Sequence, residues 1–308
     1  MAQEDRLVAG IELGGTKSIA VLARGADIVA QTRLPTADPQ PTLAALAAQI
    51  ADWQAVHGRA TAIGIASFGP VGLDRRRPDY GHITSTPKPG WANIDVIEPF
   101  ARAFDVPIAF DTDVAGAALA EHAWGAAAGC DVAVYLTVGT GIGGGVVVNG
   151  NPVHGLIHPE IGHIRVRRAE GDAFSGICPF HGDCLEGLAS GPAIAARAGV
   201  PGDMLPDDHP LWGAVTAEIG ELVALLLLTL SARRILIGGG VFGGRQALLP
   251  AIRAEAARLL AGYLAGIDEA RLAEIVVAPT LGERAGPLGA VALALRASAQ
   301  GTAEPAGR

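Results

Sequence analysis

The opening of the chain is organised in apolar blocks punctuated by glycine. "LVAGIELGG" is apolar up to its glycine pair, "TKSIAVLARG" resumes the apolar run, and "DIVAQTRLPT" alternates. Such runs, bounded by glycine, predict strands joined by tight turns. "TLAALAAQIADWQAV" has apolar residues at helical spacing and predicts a helix, and "ATAIGIASFGP" predicts a buried strand ending at Gly69-Pro70. "TSTPKPGWANIDV" is irregular and rich in Pro and Gly. "VPIAFDTDVAGAALAEHAWG" predicts a short strand that breaks into a helix around Thr112 and Asp113.

The pattern then repeats. "DVAVYLTVGTGIGGGVVVNG" has the same apolar strand, glycine turn and apolar strand as residues 8–22, about 125 positions later. Two copies of a βββαβα-like unit account for the length. The rest reads as a helix over 214–232, a strand "RILIGGGVF", a helix over 245–261, a strand "EIVVAP" and a last helix "GPLGAVALALRAS".

Composition narrows the function classes. The 308 residues are 50% hydrophobic, enough for a large core and two domains. A net charge of −8 gives no general attraction to nucleic acid or anionic membrane, so neither is an expected partner. "MAQEDRLVAG" does not read as a signal peptide. "LVALLLLTL", flanked by Glu221 and Arg233, is too short to cross a bilayer and reads as a buried helix. Three cysteines argue against a disulfide framework and fit a reducing cytoplasm. Forty-two glycines imply tight turns or close approach of backbone to ligand.

The glycine motifs decide between several phosphate-binding schemes. "GIELGGTKS" nearly spells a P-loop, but Thr16 stands where the lysine belongs and a strand follows instead of a helix. "GTGIGG", Gly139 to Gly144, fits a dinucleotide fingerprint, yet "GVVVNG" after it is again a strand. Both are therefore read as β-hairpins. Each is a plain structural turn or an anion cradle. In the first, the N–H groups of Gly14, Gly15 and Thr16 would be joined by the Thr16 hydroxyl and the Lys17 ammonium. The presence of two such hairpins, with a third run "IGGGV" at 237–241, favours nucleotide binding.

A second constellation points to a metal. His163 is followed after fourteen residues by Cys178, then His181 and Cys184, each after two more. Two thiolates and two imidazoles make a closed tetrahedral zinc site, the alternative being buried thiols beside incidental histidines. Cys130 lies outside the cluster and reads as core, and "DRRRP" at 74–78 as a solvated turn. Asp113, at the strand–helix corner, reads on its own as a helix cap.

"GIELGGTK", "VGTGIGGG" and "ILIGGGVF" resemble the phosphate-1, phosphate-2 and adenosine segments of the actin/hexokinase/Hsp70 ATPase superfamily. Within it the chain resembles the ROK family of sugar kinases and sugar-responsive repressors, from about Val8 to Ala297. "YGHITSTPKPGWANIDV", "HPEIGHI" and "CPFHGDCLEGLASGPA" resemble segments of its bacterial fructokinases. The resemblance implies an α/β fold of two actin-like (ribonuclease H-like) lobes. These would be residues 1–113, with the helix at about 286–298 packing back on them, and 114–285, with a zinc-binding loop at 158–190. Residues 299–308 would be a disordered tail.

The resemblance also implies roles. Gly14, Gly15, Thr16 and Lys17, with Gly139, Thr140, Gly141 and Gly143, would hold the phosphates of Mg²⁺-ATP. Gly238, Gly239 and Gly240 would serve the adenosine. Asp113 becomes the general base that deprotonates the 6-hydroxyl of a hexose. The family usually has Asn before that Asp, and Thr112 here puts one sugar contact in question. Glu160, His163 and Glu186 would bind sugar hydroxyls, His163 also holding zinc with its other nitrogen. Asn93 and Gly69-Pro70 resemble facing sugar loops, and Trp91 is either loop packing or a stacking surface. Glu12 stands where the superfamily has an Asp near Mg²⁺. Zinc would be structural, pinning Glu186 to the Glu160 segment, so its removal should cost sugar affinity and leave the ATP hairpins intact. Closure of the lobes would exclude water, and family members are commonly homodimers. The expected activity is fructose phosphorylation to fructose 6-phosphate. Glucokinase, mannokinase or N-acylhexosamine kinase activity, or a non-catalytic sugar-sensing regulator, are the alternatives. A DNA-binding repressor would need a helix-turn-helix segment before the first hairpin.

Overall fold

Residues 5–168 and 171–300 are described in the computed structural model. The first apolar blocks form β1 (Leu7–Leu13), β2 (Lys17–Arg24) and β3 (Asp27–Pro35), an antiparallel meander. After α1 (Pro39–His57), β4 (Ile63–Ser67) runs parallel to β1. The irregular segment holds a short antiparallel pair, β5 (His82–Ile83) and β6 (Ile94–Asp95). Then follow α2 (Glu98–Ala103), β7 (Ile108–Thr112), parallel to β4, and α3 (Asp113–Trp124). The sheet order is β3-β2-β1-β4-β7.

The second half repeats that order. β8 (Val132–Val138), β9 (Ile142–Val148) and β10 (Asn151–Pro152) precede α4 (Leu185–Ala189), α5 (Gly191–Ala198) and α6 (Leu211–Leu230). β11 (Arg234–Gly238), α7 (Leu249–Leu260), α8 (Glu269–Ile275) and β12 (Val276–Val277) complete a mixed sheet in the order β10-β9-β8-β11-β12. The last helix is α9 (Ala285–Gln300). The fold is thus α/β with two mixed five-stranded sheets of one topology.

Two compact units result. One comprises the chain through Trp124, Asn151–His158, and Glu283 onward, and the other Gly125–Gly150 and Pro159–Gly282. α3 therefore groups with the first unit, beyond the boundary expected at residue 113, because it packs against α9. Of the expected tail, Ala299 and Gln300 end α9, and 301–308 lie outside the described residues.

Several expectations need correction. The segment "EIVVAP" gives only a two-residue strand, because Asp268 caps α8 by accepting a hydrogen bond from the Arg271 N–H and that helix runs through Ile275. The helix expected over 245–261 begins at Leu249, after a 3-10 turn. The argument that the apolar stretch of α6 is too short also fails. α6 has 20 residues with a mean hydropathy of 1.8, long and apolar enough by composition to cross a membrane. Its place is decided by packing: Trp212, Val215, Ile219, Leu222 and Val223 lie within the core of the second unit.

The first sheet is covered on both faces, which is why β1 reads as a continuous apolar run. Leu7, Ala9, Ile11 and Leu13 join Leu43, Leu46 and Ile50 of α1 in one cluster. Val8 points the other way, into a cluster with Val291, Ala294 and Leu295 of α9. α9 lies close to backbone contact with β4. A Cβ on Gly64 would collide with the Ala290 carbonyl oxygen and stand 2.6 Å from the Ala294 nitrogen. Neither neighbour is a side chain that can swing away. Gly64→Ala should therefore lower the unfolding free energy by about 3 kcal/mol, measured by urea denaturation, whereas an unchanged midpoint would show that α9 can lift off β4.

Candidate active site

The first glycine hairpin is closed by its own backbone. The Gly14 N–H donates to the Lys17 carbonyl at 3.0 Å, so it serves the turn and is not presented as a donor, contrary to expectation. Gly15, Thr16 and Lys17 are exposed. Thr36, just past β3, pins the turn from outside. Its N–H donates to the Thr16 carbonyl at 2.9 Å, and its hydroxyl donates to the Gly14 carbonyl at 2.7 Å and meets the Ser18 hydroxyl at 2.7 Å. Sequence reasoning missed Thr36. The signal was a small hydroxyl residue at the end of a strand paired with the hairpin.

The strand–helix corner after β7 resolves the question of the cap. The Ala115 N–H donates to the Thr112 hydroxyl at 3.1 Å, so Thr112, 4% exposed, caps α3. A buried, engaged hydroxyl does not fit the sugar contact considered for it. Asp113 is half-buried on the first turn, its Oδ1 accepting the Val114 N–H at 2.9 Å. Buried Asp111 accepts the Thr112 N–H at 2.8 Å and meets His154 Nε2 at 3.0 Å. That contact raises the His154 pKa above its ordinary value. Glu12, at the end of β1, lies close enough to Asp113 to feel its charge. Burial pushes the Glu12 carboxyl up to about 7 and the Asp113 charge adds to the shift, against the pull of Lys17 and Arg33. Gly286 in α9 makes room for it, since a Cβ there would collide with the Glu12 carboxyl group.

Two loops follow the strand ends of the same unit. Gly69-Pro70 is a cis peptide. The Pro70 carbonyl accepts the Thr84 N–H at 2.8 Å and its hydroxyl at 3.0 Å, and the Asn93 N–H donates to the Thr84 carbonyl at 3.1 Å. Asn93 is exposed with φ +60, a left-handed conformation that Asn tolerates. Trp91 is fully buried, edge-on to Phe68 at 5.5 Å, and its Nε1 donates to the Ala37 carbonyl. It is loop packing and offers no stacking face.

In the second unit the turn of the β8–β9 hairpin is also closed internally, the Gly139 N–H donating to the Gly141 carbonyl at 2.9 Å. Here the outside clamp is Glu186, on α4. Its Oε2 accepts the Ile142 N–H at 2.9 Å and lies 2.6 Å from where a Cβ on Gly141 would stand. Glu186, expected to bind sugar hydroxyls, is thus bonded to the second glycine hairpin. Thr140 is exposed, and Gly143 is paired with Thr137 inside the hairpin. The third glycine run packs against the same hairpin: Gly239, φ +88, leaves no room for a Cβ against Val138, and the Val241 N–H donates to the Val138 carbonyl. Gly238 is buried against Pro279 and Tyr135, while Gly240 is exposed. Glu160 precedes a 3-10 turn, Ile161–His163, which rests on the start of β9 because Gly162 has no Cβ to strike the Ile142 carbonyl.

His163, Cys178, His181 and Cys184 converge, with their ligand atoms within 4.8 Å of one another. His163 Nδ1 lies 3.5 Å from Cys184 Sγ and 3.8 Å from Cys178 Sγ, and His181 Nδ1 lies 3.7 Å from Cys178 Sγ. Burial pushes the Cys184 thiol up to about 11. Arg165, ion-paired with Asp183, and Arg168, paired with Asp172 and Asp183, brace the loop around the cluster. Cys130 is buried apart from it.

The sequence matches the profile of the ROK family over residues 8–297. It is 42% identical to a fructokinase of Zymomonas mobilis, over 96% of this chain and 99% of that protein. A ROK hexokinase from Thermus thermophilus has a similar structure, with a TM-score of 0.77 at 29% identity over 94% of this chain and 97% of that one. A ROK family glucokinase from Streptomyces griseus, solved with glucose and AMPPNP, gives a TM-score of 0.72 at 25% identity over 94% and 99%.

The raised Glu12 pKa has a thermodynamic consequence. Between its ordinary value of 4.5 and about 7, the folded state retains a proton that the unfolded chain has released. Stability must therefore fall as pH rises through that window. Glu12→Gln should flatten the dependence of Tm on pH between about pH 5 and about pH 8. Parallel curves for variant and wild type would rule out burial of the Glu12 carboxyl as the source.

Proposed function

The chain belongs to the ROK family, and from that premise we propose that it is an ATP-dependent fructokinase that forms fructose 6-phosphate. One observation carries the reading. In a chain similar from end to end to a fructokinase, Thr112 takes over the capping of α3, so the Asp113 carboxylate is not needed as the cap. Asp113 accepts the proton of the 6-hydroxyl as that oxygen bonds to the γ-phosphorus, and the bond to the bridging oxygen breaks to release ADP. Gly15, Thr16 and Lys17 on one hairpin, and Thr140 and Gly141 on the other, hold the phosphates, and Gly240 faces the adenosine. Glu12 fits a place near Mg²⁺, because a carboxyl held up to about 7 by burial and a second acid gains from a cation. Magnesium would supply neutralisation of the β- and γ-phosphate charge.

Glu160, His163, Glu186 and Asn93 bind the sugar hydroxyls in this reading, without Thr112. His163 has Nδ1 toward the sulfurs, leaving Nε2 for a hydroxyl. The cluster fits zinc. Bonds of about 2.0–2.3 Å in tetrahedral array put ligand atoms roughly 3.3–3.8 Å apart; three of the six pairs stand at 3.5, 3.7 and 3.8 Å, and all lie within 4.8 Å. Its role is structural, since four protein ligands leave no open position. A cytoplasmic homodimer completes the proposal, with the three free cysteines in keeping with a reducing compartment.

Purified protein with Mg-ATP should release ADP fastest with fructose in a panel that includes glucose, mannose and N-acetylmannosamine. Asp113→Asn should lower kcat by about a thousand-fold. Faster turnover of another hexose would keep the chemistry and move the specificity. No sugar-dependent release would favour a sugar-sensing protein without catalysis. Zinc removal tests the metal assignment. Because Glu186 lies two residues beyond Cys184 and holds the Ile142 N–H, the hairpin is not insulated from the metal as first expected. Chelation should raise the KM for ATP as well as that for fructose, each by several-fold, and a rise confined to fructose would break the link.

A further inference from the structure

We propose that His158 is a positioning residue that holds the loop after β4 in its sugar-binding shape through the Val71 N–H. The proposal rests on the sugar-kinase reading above for what the loop receives.

Val71 is the first residue after Pro70 that has a backbone donor. Its N–H donates to His158 Nε2 at 3.2 Å, across 87 residues of chain. His158 is 6% exposed, so the acceptor is sheltered from water. Because the N–H donates, Nε2 must offer its lone pair and the ring proton sits on Nδ1. The same ring lies over Gly69, where a Cβ would stand 3.6 Å from Cε1 and 3.7 Å from Nε2. Other ties of this loop come from nearer in the chain. The Phe68 N–H donates to the Leu13 carbonyl, Thr84 donates to the Pro70 carbonyl, and Val71 bridges to Ile83.

His158 ends a segment that three side chains moor to the first unit. Asn151 accepts from Arg296 at 2.6 Å, His154 Nε2 meets Asp111 at 3.0 Å, and His158 takes Val71. The two histidines serve neighbouring strand ends. Ser67, which ends β4, pairs with Thr112, which ends β7. His154 thus braces the corner that carries Asp113, and His158 the loop beside it. A side chain that fixes the loop should govern sugar affinity without entering the phosphoryl transfer.

Three substitutions separate the bond from bulk. His158→Phe keeps the ring and removes the acceptor. His158→Gln places an amide oxygen near the position of Nε2, whereas His158→Asn is too short to reach it. Steady-state kinetics, with the sugar that the wild type turns over fastest, should show KM for sugar raised about ten-fold in the Phe and Asn variants. KM for ATP and kcat should stay within about two-fold, and Gln should recover most of the loss. Amide hydrogen exchange at Val71 should be faster in Phe and Asn but not in Gln, a readout that does not depend on which sugar is bound. Unchanged exchange at Val71 in the Phe variant, or equal loss of kcat and both KM values without rescue by Gln, would overturn the proposal. A wild type that turns over no sugar, yet shows Gln-restored protection at Val71, would sink the kinase reading and leave the tie standing as a loop anchor only.

Discussion

The packing of α9 on the first sheet is the constraint on which the first unit is built. Residues 285–300 cover a sheet whose first strand begins at Leu7, and they do so at backbone distance. Gly10 has Val291 nitrogen 3.0 Å from its missing Cβ, Gly64 lies against Ala290, and Gly116 of α3 meets Gly289. Dispersion contacts at this range are lost quickly with separation, so one added methyl is felt along the whole seam. The seam also sets the position of Gly286 against Glu12. An acid on the first strand therefore has its environment fixed by a helix from the far end of the sequence.

The acids of the first unit show how the backbone distributes chemistry. Asp111, Thr112 and Asp113 are consecutive, yet strand alternation and the helix start give them three environments. Asp111 is buried with a histidine, Thr112 closes the helix end, and Asp113 is half-buried on the first turn. Had Asp113 been the cap, its carboxylate would be committed to a backbone N–H further along the helix. The Thr hydroxyl performs that function without charge, in a position only 4% exposed, where an ionised group would be costly.

What could be read from the sequence followed from burial on both faces and from repetition. β1, β4 and β8 are continuous apolar runs because helices or sheet neighbours cover them, and their glycine stops mark true turns. The convergence of His163, Cys178, His181 and Cys184 was legible because three of the four lie in one short loop. Helices α2, α4, α5 and α8 were not, being too short to establish a period of 3.6. Hydrogen-bond donors could not be assigned either. Gly14 was expected to offer its N–H, but the hairpin needs it. Thr36, His154 and His158 act on partners 18 to 87 residues away, and no local pattern encodes such pairings.

The repeated units differ in how their glycine hairpins are held. Each glycine hairpin is pinned by a side chain from outside it, but the pins are not equivalent. At the first turn Thr36 offers a neutral hydroxyl to the Gly14 carbonyl. At the second, Glu186 offers a carboxylate to the Ile142 N–H. A neutral pin adds no negative charge at the first turn, where Lys17 stands, and that suits an anion. A carboxylate beside the second turn opposes one, unless its charge is engaged elsewhere. The hydrogen bond from Ile142 uses Oε2, and donors from a sugar would use the remaining lone pairs. On the proposed reading, a bound hexose then makes the second hairpin more hospitable to phosphate, because each hydroxyl given to Glu186 draws negative charge away from the turn. Sugar and nucleotide would be coupled through one carboxylate within a single unit, and the glycine at position 141 is what lets that carboxylate approach the backbone so closely.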